Sequence, residues 1–166
     1  MKKIDPIILG IIFISLVILG GIILASRYSS GNPAASYKIN DVERPKIEIS
    51  EKDFDLGKMK VSETKTKEII IKSMGTKPLN VSDFTTSCDC TSVVVNIDGK
   101  DSPKFSMHTM TSWQKELAPE QTATLKIIYE PSVMPVEGEV SRVVHFKTND
   151  PEMLDVQINF KAFVEG

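Results

Sequence analysis

The chain has 166 residues, with 20 Lys and Arg against 22 Asp and Glu and a net charge of −2. A mildly acidic chain without a basic block is not built to bind nucleic acid. Two histidines and two cysteines leave little material for metal or nucleophilic chemistry.

Residues 1–6 form a short leader carrying Lys2 and Lys3. Residues 7–26 then run from Ile7 to Ser26 without a charge. As a helix this run covers about 30 Å, the thickness of a bilayer core. The sequence predicts a transmembrane signal anchor. The rival is a cleavable signal peptide, whose apolar stretch is usually about 7–15 residues. No clean small-x-small site follows, because Leu24-Ala25-Ser26 leads into Arg27. Short basic leaders stay inside and long domains translocate, so the N-terminus is expected in the cytoplasm. The expectation is a single-pass membrane protein with its domain periplasmic or at the cell surface. Residues 27–45 read as a linker, since Tyr28-Ser-Ser-Gly-Asn-Pro-Ala-Ala-Ser36 has no apolar period.

From residue 46 to 166, short β-rich runs alternate with turn formers. Early candidates are 47–49, 67–72, 79–84 and 91–97. In 121–129, Ala123, Leu125, Ile127 and Tyr129 share one face. In 140–148, Val144 and Phe146 point inward and His145 and Lys147 outward. In 154–164 the inward set is Leu154, Val156, Ile158, Phe160, Ala162 and Val164. A period of two marks strands with one buried face. About seven strands at roughly ten-residue spacing predict an all-β, immunoglobulin-like antiparallel β-sandwich. One N-terminal transmembrane helix would precede it.

Several motifs run in a specific order. They are Phe54-Asp-Leu-Gly-Lys-Met59, Lys77-Pro-Leu-Asn-Val81, Ser87-Cys-Asp-Cys-Thr91, Leu117-Ala-Pro119, Ile127-Ile-Tyr129 and Thr148-Asn-Asp-Pro151. This order resembles the bacterial domain-of-unknown-function family 1573, over about residues 47–164. That family is immunoglobulin-like and related to ASH and MSP-type domains. There are departures. Ser73-Met74 precede Gly75 where the family usually has Asn, and Glu120 follows Pro119 where it usually has Gly. Residues 96–116 look like an inserted hairpin. The resemblance implies the fold and an interaction role, and supplies no activity to carry over.

Cys88 and Cys90 are not the Cys-x-x-Cys of thiol oxidoreductases. On an extended segment their Cα atoms would stand ~6.6 Å apart with parallel side chains. That geometry does not close a disulfide, whereas a tight turn at Asp89 would close a reducible one. The pair is therefore read as buried or free thiols, a strained redox bridge, two thiolate ligands, or an intermolecular bridge.

In the insertion, Met107, His108 and Met110 carry ligand atoms suited to Cu(I), with Trp113 nearby. As a strand, His108 and Met110 share a face, while Met107 points away with Phe105. The alternative is a hairpin of 91–97 and 104–110 turning at Asp98-Gly99, in which Met107 and Phe105 are packing. His145, between Arg142 and Lys147, reads as a surface residue. No nucleophile elbow or phosphate-binding glycine loop is present.

The leading expectation is a membrane-anchored, extracytoplasmic protein-interaction module that is not an enzyme and needs no cofactor. Its protein partner is unidentified and would bind by edge-strand addition, with Phe105, Met107, Met110 and Trp113 as the contact surface. The alternative is a copper-handling module using Cys88, Cys90, His108 and Met110. A thiol–disulfide redox protein is the second alternative.

Overall fold

The computed structural model describes residues 37–109 and 111–166. The expected leader and transmembrane anchor, the first part of the expected linker and Met110 lie outside the described residues. Among the described residues, no helix is long and apolar enough to cross a membrane.

Among the described residues ten strands follow in chain order: β1 (Ile47–Ile49), β2 (Asp53–Lys60), β3 (Lys65–Ser73), β4 (Leu79–Thr86), β5 (Thr91–Ile97), β6 (Lys100–Asp101), β7 (Gln114–Leu117), β8 (Thr122–Tyr129), β9 (Gly138–Thr148) and β10 (Asp155–Glu165). A 3-10 turn, Pro131–Val133, follows β8. One sheet has the order β1-β3-β8-β5-β6 and the other β2-β10-β9-β4-β7.

Alternation decides which side of each strand is buried. On β8, Ala123, Leu125, Ile127 and Tyr129 are buried, and on β10 Val156, Ile158, Phe160, Ala162 and Val164 are. These two inner faces meet in one core, with Ile69, Ile71, Val93 and Val95 from the first sheet and Leu79, Val81, Val144 and Phe146 from the second. Fully burying such side chains stabilises by about 1.5–3 kcal/mol each before conformational entropy is counted.

The structure corrects the sequence reading in several places. The sandwich is not wholly antiparallel, because β2 runs parallel to β10. Leu154 precedes β10 and is exposed rather than core. Its carbonyl accepts the Thr148 N–H at 2.9 Å, inside the turn that joins β9 to β10. The insertion is a hairpin for only part of its length. Asp98 and Gly99 have φ of 51° and 76°. Those left-handed values are what a two-residue hairpin turn needs. Just beyond β6 the Ser102 N–H donates to the Val95 carbonyl at 2.9 Å, and farther on Phe105 bridges back to Val93. Met107 and His108 then sit in a turn, where the Ser106 N–H donates to Thr109 Oγ1 at 3.0 Å. A hydroxyl accepting from the backbone in this way competes with strand pairing.

The end of the linker is fixed. Arg44 donates to Asp150 at 3.0 Å and pairs with Glu152 at 2.7 Å. Asn149 closes the other side, accepting the Asn80 N–H at 2.8 Å and donating to the Pro78 carbonyl at 3.2 Å. Thr148-Asn-Asp-Pro151 is thus both a turn and a clamp between the first residues of the domain and β4.

Candidate functional site

Two features stand out, a cysteine turn at one end of the sandwich and the free edges of its sheets.

Between β4 and β5 the chain turns at Cys88-Asp89-Cys90. The Thr91 N–H donates to the Cys88 carbonyl at 3.1 Å, which makes this a tight turn rather than an extended run. Thr86 Oγ1 secures it from within, donating to the carbonyl oxygens of Cys88 (2.9 Å) or Thr91 (3.0 Å). The Cα atoms of Cys88 and Cys90 are therefore 5.3 Å apart, and their sulfurs are in bonding contact. That separation lies inside the range a disulfide uses. The Cys90 N–H points at Cys88 Sγ at 3.0 Å. From β9, Arg142 Nε donates to Cys90 Sγ at 3.2 Å, and its guanidinium lies 6.0 Å from the centre of the Tyr129 ring. Burial pushes the Tyr129 phenol up, against the pull of that guanidinium.

The expected copper set does not assemble. Cys88 and Cys90 face each other, and the exposed His108 is turned to Asp89, with Nδ1 2.9 Å from the carboxylate. Among the described residues no group of three His, Cys, Asp or Glu side chains is placed to hold a metal ion. Met110 lies outside the described residues.

The expected contact surface is also redrawn. Phe105 is 1% exposed and stacks on Phe84 at 5.4 Å, so it is core rather than contact. Trp113 packs on Phe105 and Phe84 at 5.3 and 5.8 Å, as a partly buried lid on the core. Met107, which the hairpin reading made a packing residue, is exposed. Sequence reasoning missed a second apolar surface. Val133, Met134 and Val136, in the loop between β8 and β9, are all exposed. Their signal was an apolar run with no strand period, broken by Pro135.

The sheet edges differ in chemistry. On β2, Lys65 Nζ donates to the carbonyls of Leu56 (2.5 Å) and Lys58 (2.9 Å). Glu63 accepts the Lys60 N–H at 3.0 Å, and Asp55 accepts the Gly57 N–H at 2.7 Å. On β1, three residues long, Asp150 accepts the Ile47 N–H at 3.0 Å. β6 has two residues. β7 pairs with β4 along one side, and no described side chain caps the main chain of Gln114–Leu117 on the other.

A family model described as "HYDIN/CFA65/VesB-like, Ig-like domain" matches residues 45–162. No curated protein matches the chain. Among solved structures, a protein of unknown function from Porphyromonas gingivalis W83 is similar at 22% identity, with a TM-score of 0.59. The match covers 80% of this chain and 51% of that one, so this chain spans about half of that protein's length. A family 123 glycoside hydrolase from Clostridium perfringens is similar at 9% identity and a TM-score of 0.51, over 74% of this chain and 28% of that one. The ASH/PapD-like domain 7 of human CEP192 aligns at 12% identity with a TM-score of 0.49, over 79% of this chain and 95% of that one. At such identities the first two show a shared fold and nothing of activity.

Proposed function

The chain belongs to the HYDIN/CFA65/VesB-like family of immunoglobulin-like domains, and from that premise we propose a protein-interaction module whose work is recognition without catalysis. The module is held at a membrane by residues 7–26, with its domain outside the cytoplasm. The finer kinship to domain-of-unknown-function family 1573, carried by Ser87-Cys-Asp-Cys-Thr91 and Thr148-Asn-Asp-Pro151, is part of this reading.

The observation that supports it is the contrast between sheet edges. Unpaired strand edges attract other strands, and proteins blunt the ones they do not use. Here β1 and β2 carry side chains on their main-chain groups and β6 is too short to template a partner. That leaves β7, four residues long and uncapped by any described side chain, and Lys115 and Glu116 on it are exposed. A partner segment adding to β7 would gain main-chain hydrogen bonds there.

The test is site-specific photocrosslinking in the full-length, membrane-embedded chain. Crosslinkers at positions 115 and 116 are expected to give one discrete adduct, and a crosslinker at position 58 on the capped edge none. Equal adducts from both edges, or none from β7, would overturn the edge assignment. In the same cells the chain should resist carbonate extraction and be cleaved by protease added outside. Release by carbonate would remove the anchor from the reading.

A further inference from the structure

The cysteine turn has a chemistry that recognition at β7 does not use. We infer that Cys88 and Cys90 form a thiol–disulfide exchange site that accepts two electrons from an external dithiol, with Cys88 as the attacked sulfur and Arg142 as the group that stabilises the departing Cys90 thiolate.

The two sulfurs differ in access and surroundings. Cys88 is 7% exposed and Cys90 is 1% exposed. An incoming thiolate therefore reaches Cys88 first. Its sulfur bonds to Cys88 Sγ, the Cys88–Cys90 bond breaks, and the electron pair leaves on Cys90 Sγ. That sulfur already receives the Arg142 Nε–H at 3.2 Å. A hydrogen bond from a cation is stronger to an anion than to a neutral sulfur. Arg142 forms no ion pair among the described residues, so no carboxylate competes for its charge. A better-stabilised leaving thiolate departs faster.

The second thiol of the donor then attacks its own sulfur in the mixed disulfide and expels the Cys88 thiolate. The Cys90 N–H, 3.0 Å from Cys88 Sγ, is in place to receive that charge. Overall the donor dithiol becomes a disulfide, and the Cys88–Cys90 bridge becomes two thiols after taking up the donor's two protons. Stabilising the reduced form in this way makes a cysteine pair the oxidant of an exchange. The donor is a dithiol, because the second step needs a thiol tethered to the first. The site sits at the end of β4 and does not depend on the β7 reading.

The experiment uses the purified full-length chain in detergent, read by intact mass after alkylation. The parent should take no label as isolated and two labels after incubation with dithiothreitol under native conditions. With oxidised glutathione as probe, reduced Cys90→Ser should hold a mixed disulfide on Cys88. Cys88→Ser should form one on Cys90 at least about tenfold more slowly. Arg142→Gln should slow reduction of the bridge by dithiothreitol by about tenfold, and Arg142→Lys by less. Tryptophan emission from Trp113 checks that each variant is folded. Two labels without reduction would mean free thiols, and a bridge that only denaturant exposes would mean a structural staple. Equal glutathione adducts at both positions, or no effect of Arg142→Gln in a folded protein, would remove the assigned roles. Any of these four results overturns the inference.

Discussion

The carboxylate of Asp150 accepts the backbone N–H of Ile47 at 3.0 Å, joining two residues 103 positions apart. Arg44 and the Glu152 N–H donate to the same carboxylate, each at 3.0 Å, and Asp150 is 1% exposed. One side chain therefore caps the β1 edge, orders the turn after β9 and ends the linker. Asp150→Ala leaves three donors facing an apolar methyl, one of them cationic. Removing one partner of such a buried cluster costs about 3–5 kcal/mol. Urea unfolding should show a loss of that order, with Arg44→Met costing less, because Arg44 is partly solvated. Equal losses from the two variants would mean that the ion pair, and not the backbone bonds, is what Asp150 supplies.

Gly75 tests the same corner from the other side. A Cβ at this position would collide with the Arg44 carbonyl and the Lys46 amide, both backbone atoms that have no room to rotate away. The Met74 and Thr76 N–H groups donate to the Lys46 and Arg44 carbonyls at 2.7 and 3.1 Å, so the close approach is hydrogen-bonded. Gly75→Ala should cost about 1–3 kcal/mol through overpacking. It should also raise amide exchange at Ile47 and Met74 selectively. A variant as stable as the parent would show that this close approach is not rigid.

How far the sequence carried depended on how one-sided the burial is. β8 and β10 read correctly because one face of each meets the opposite sheet and the other does not, which is the condition for a clean period of two. β2 escaped because its period slips. Phe54 and Leu56 share a face, and then an extra residue at the Gly57 bulge (φ 68°) moves the inward position to Met59. β7 escaped because Gln-Lys-Glu-Leu offers one inward residue and no alternation. Phe105 fits the hairpin reading, packing back on Val93 of β5, and not the contact surface, because an aromatic side chain suits a core and an interface equally well. The cysteine motif leaves an extended run and a tight turn at Asp89 both open, because the bond from Thr91 N–H to the Cys88 carbonyl that decides between them is a backbone choice. Glu120 was noted as standing where glycine is usual. Its φ of 67° explains why glycine suits the position.

The capped β2 edge gives a prediction about association. Lys65 holds two β2 carbonyls that would otherwise be free to accept from another chain. Lys65→Ala removes the cap without touching the core, so unfolding should shift by less than about 1 kcal/mol. Sedimentation should become more concentration-dependent than in the parent, since an unblunted eight-residue edge is a template for strand pairing. Unchanged sedimentation would mean that Asp55 and Glu63 suffice to blunt this edge.

Tyr129 carries the pH prediction. Its ring is fully buried against Phe160 at 5.5 Å, and its hydroxyl has no hydrogen-bond partner among the described residues. Burial raises its pKa above 10.0, the Arg142 guanidinium opposing that rise. The folded chain thus holds the phenol proton more tightly than the unfolded chain does. Between about pH 10 and the higher folded value, the unfolded chain loses the proton first, so stability falls as pH rises. Lys72 and Lys77, also raised by their Glu120 and Glu43 partners, lose charge in the same alkaline range. They do so equally in a Tyr129→Phe variant, which isolates the phenol. That variant should be about 1 kcal/mol more stable near neutral pH, because it no longer buries an unpaired hydroxyl. Its advantage should widen at about pH 11, where only the parent has a phenol to ionise. Denaturant midpoints of both proteins across that range decide the matter. An advantage that shrinks with pH would mean that the hydroxyl is solvated in solution and that Arg142, not burial, sets its ionisation.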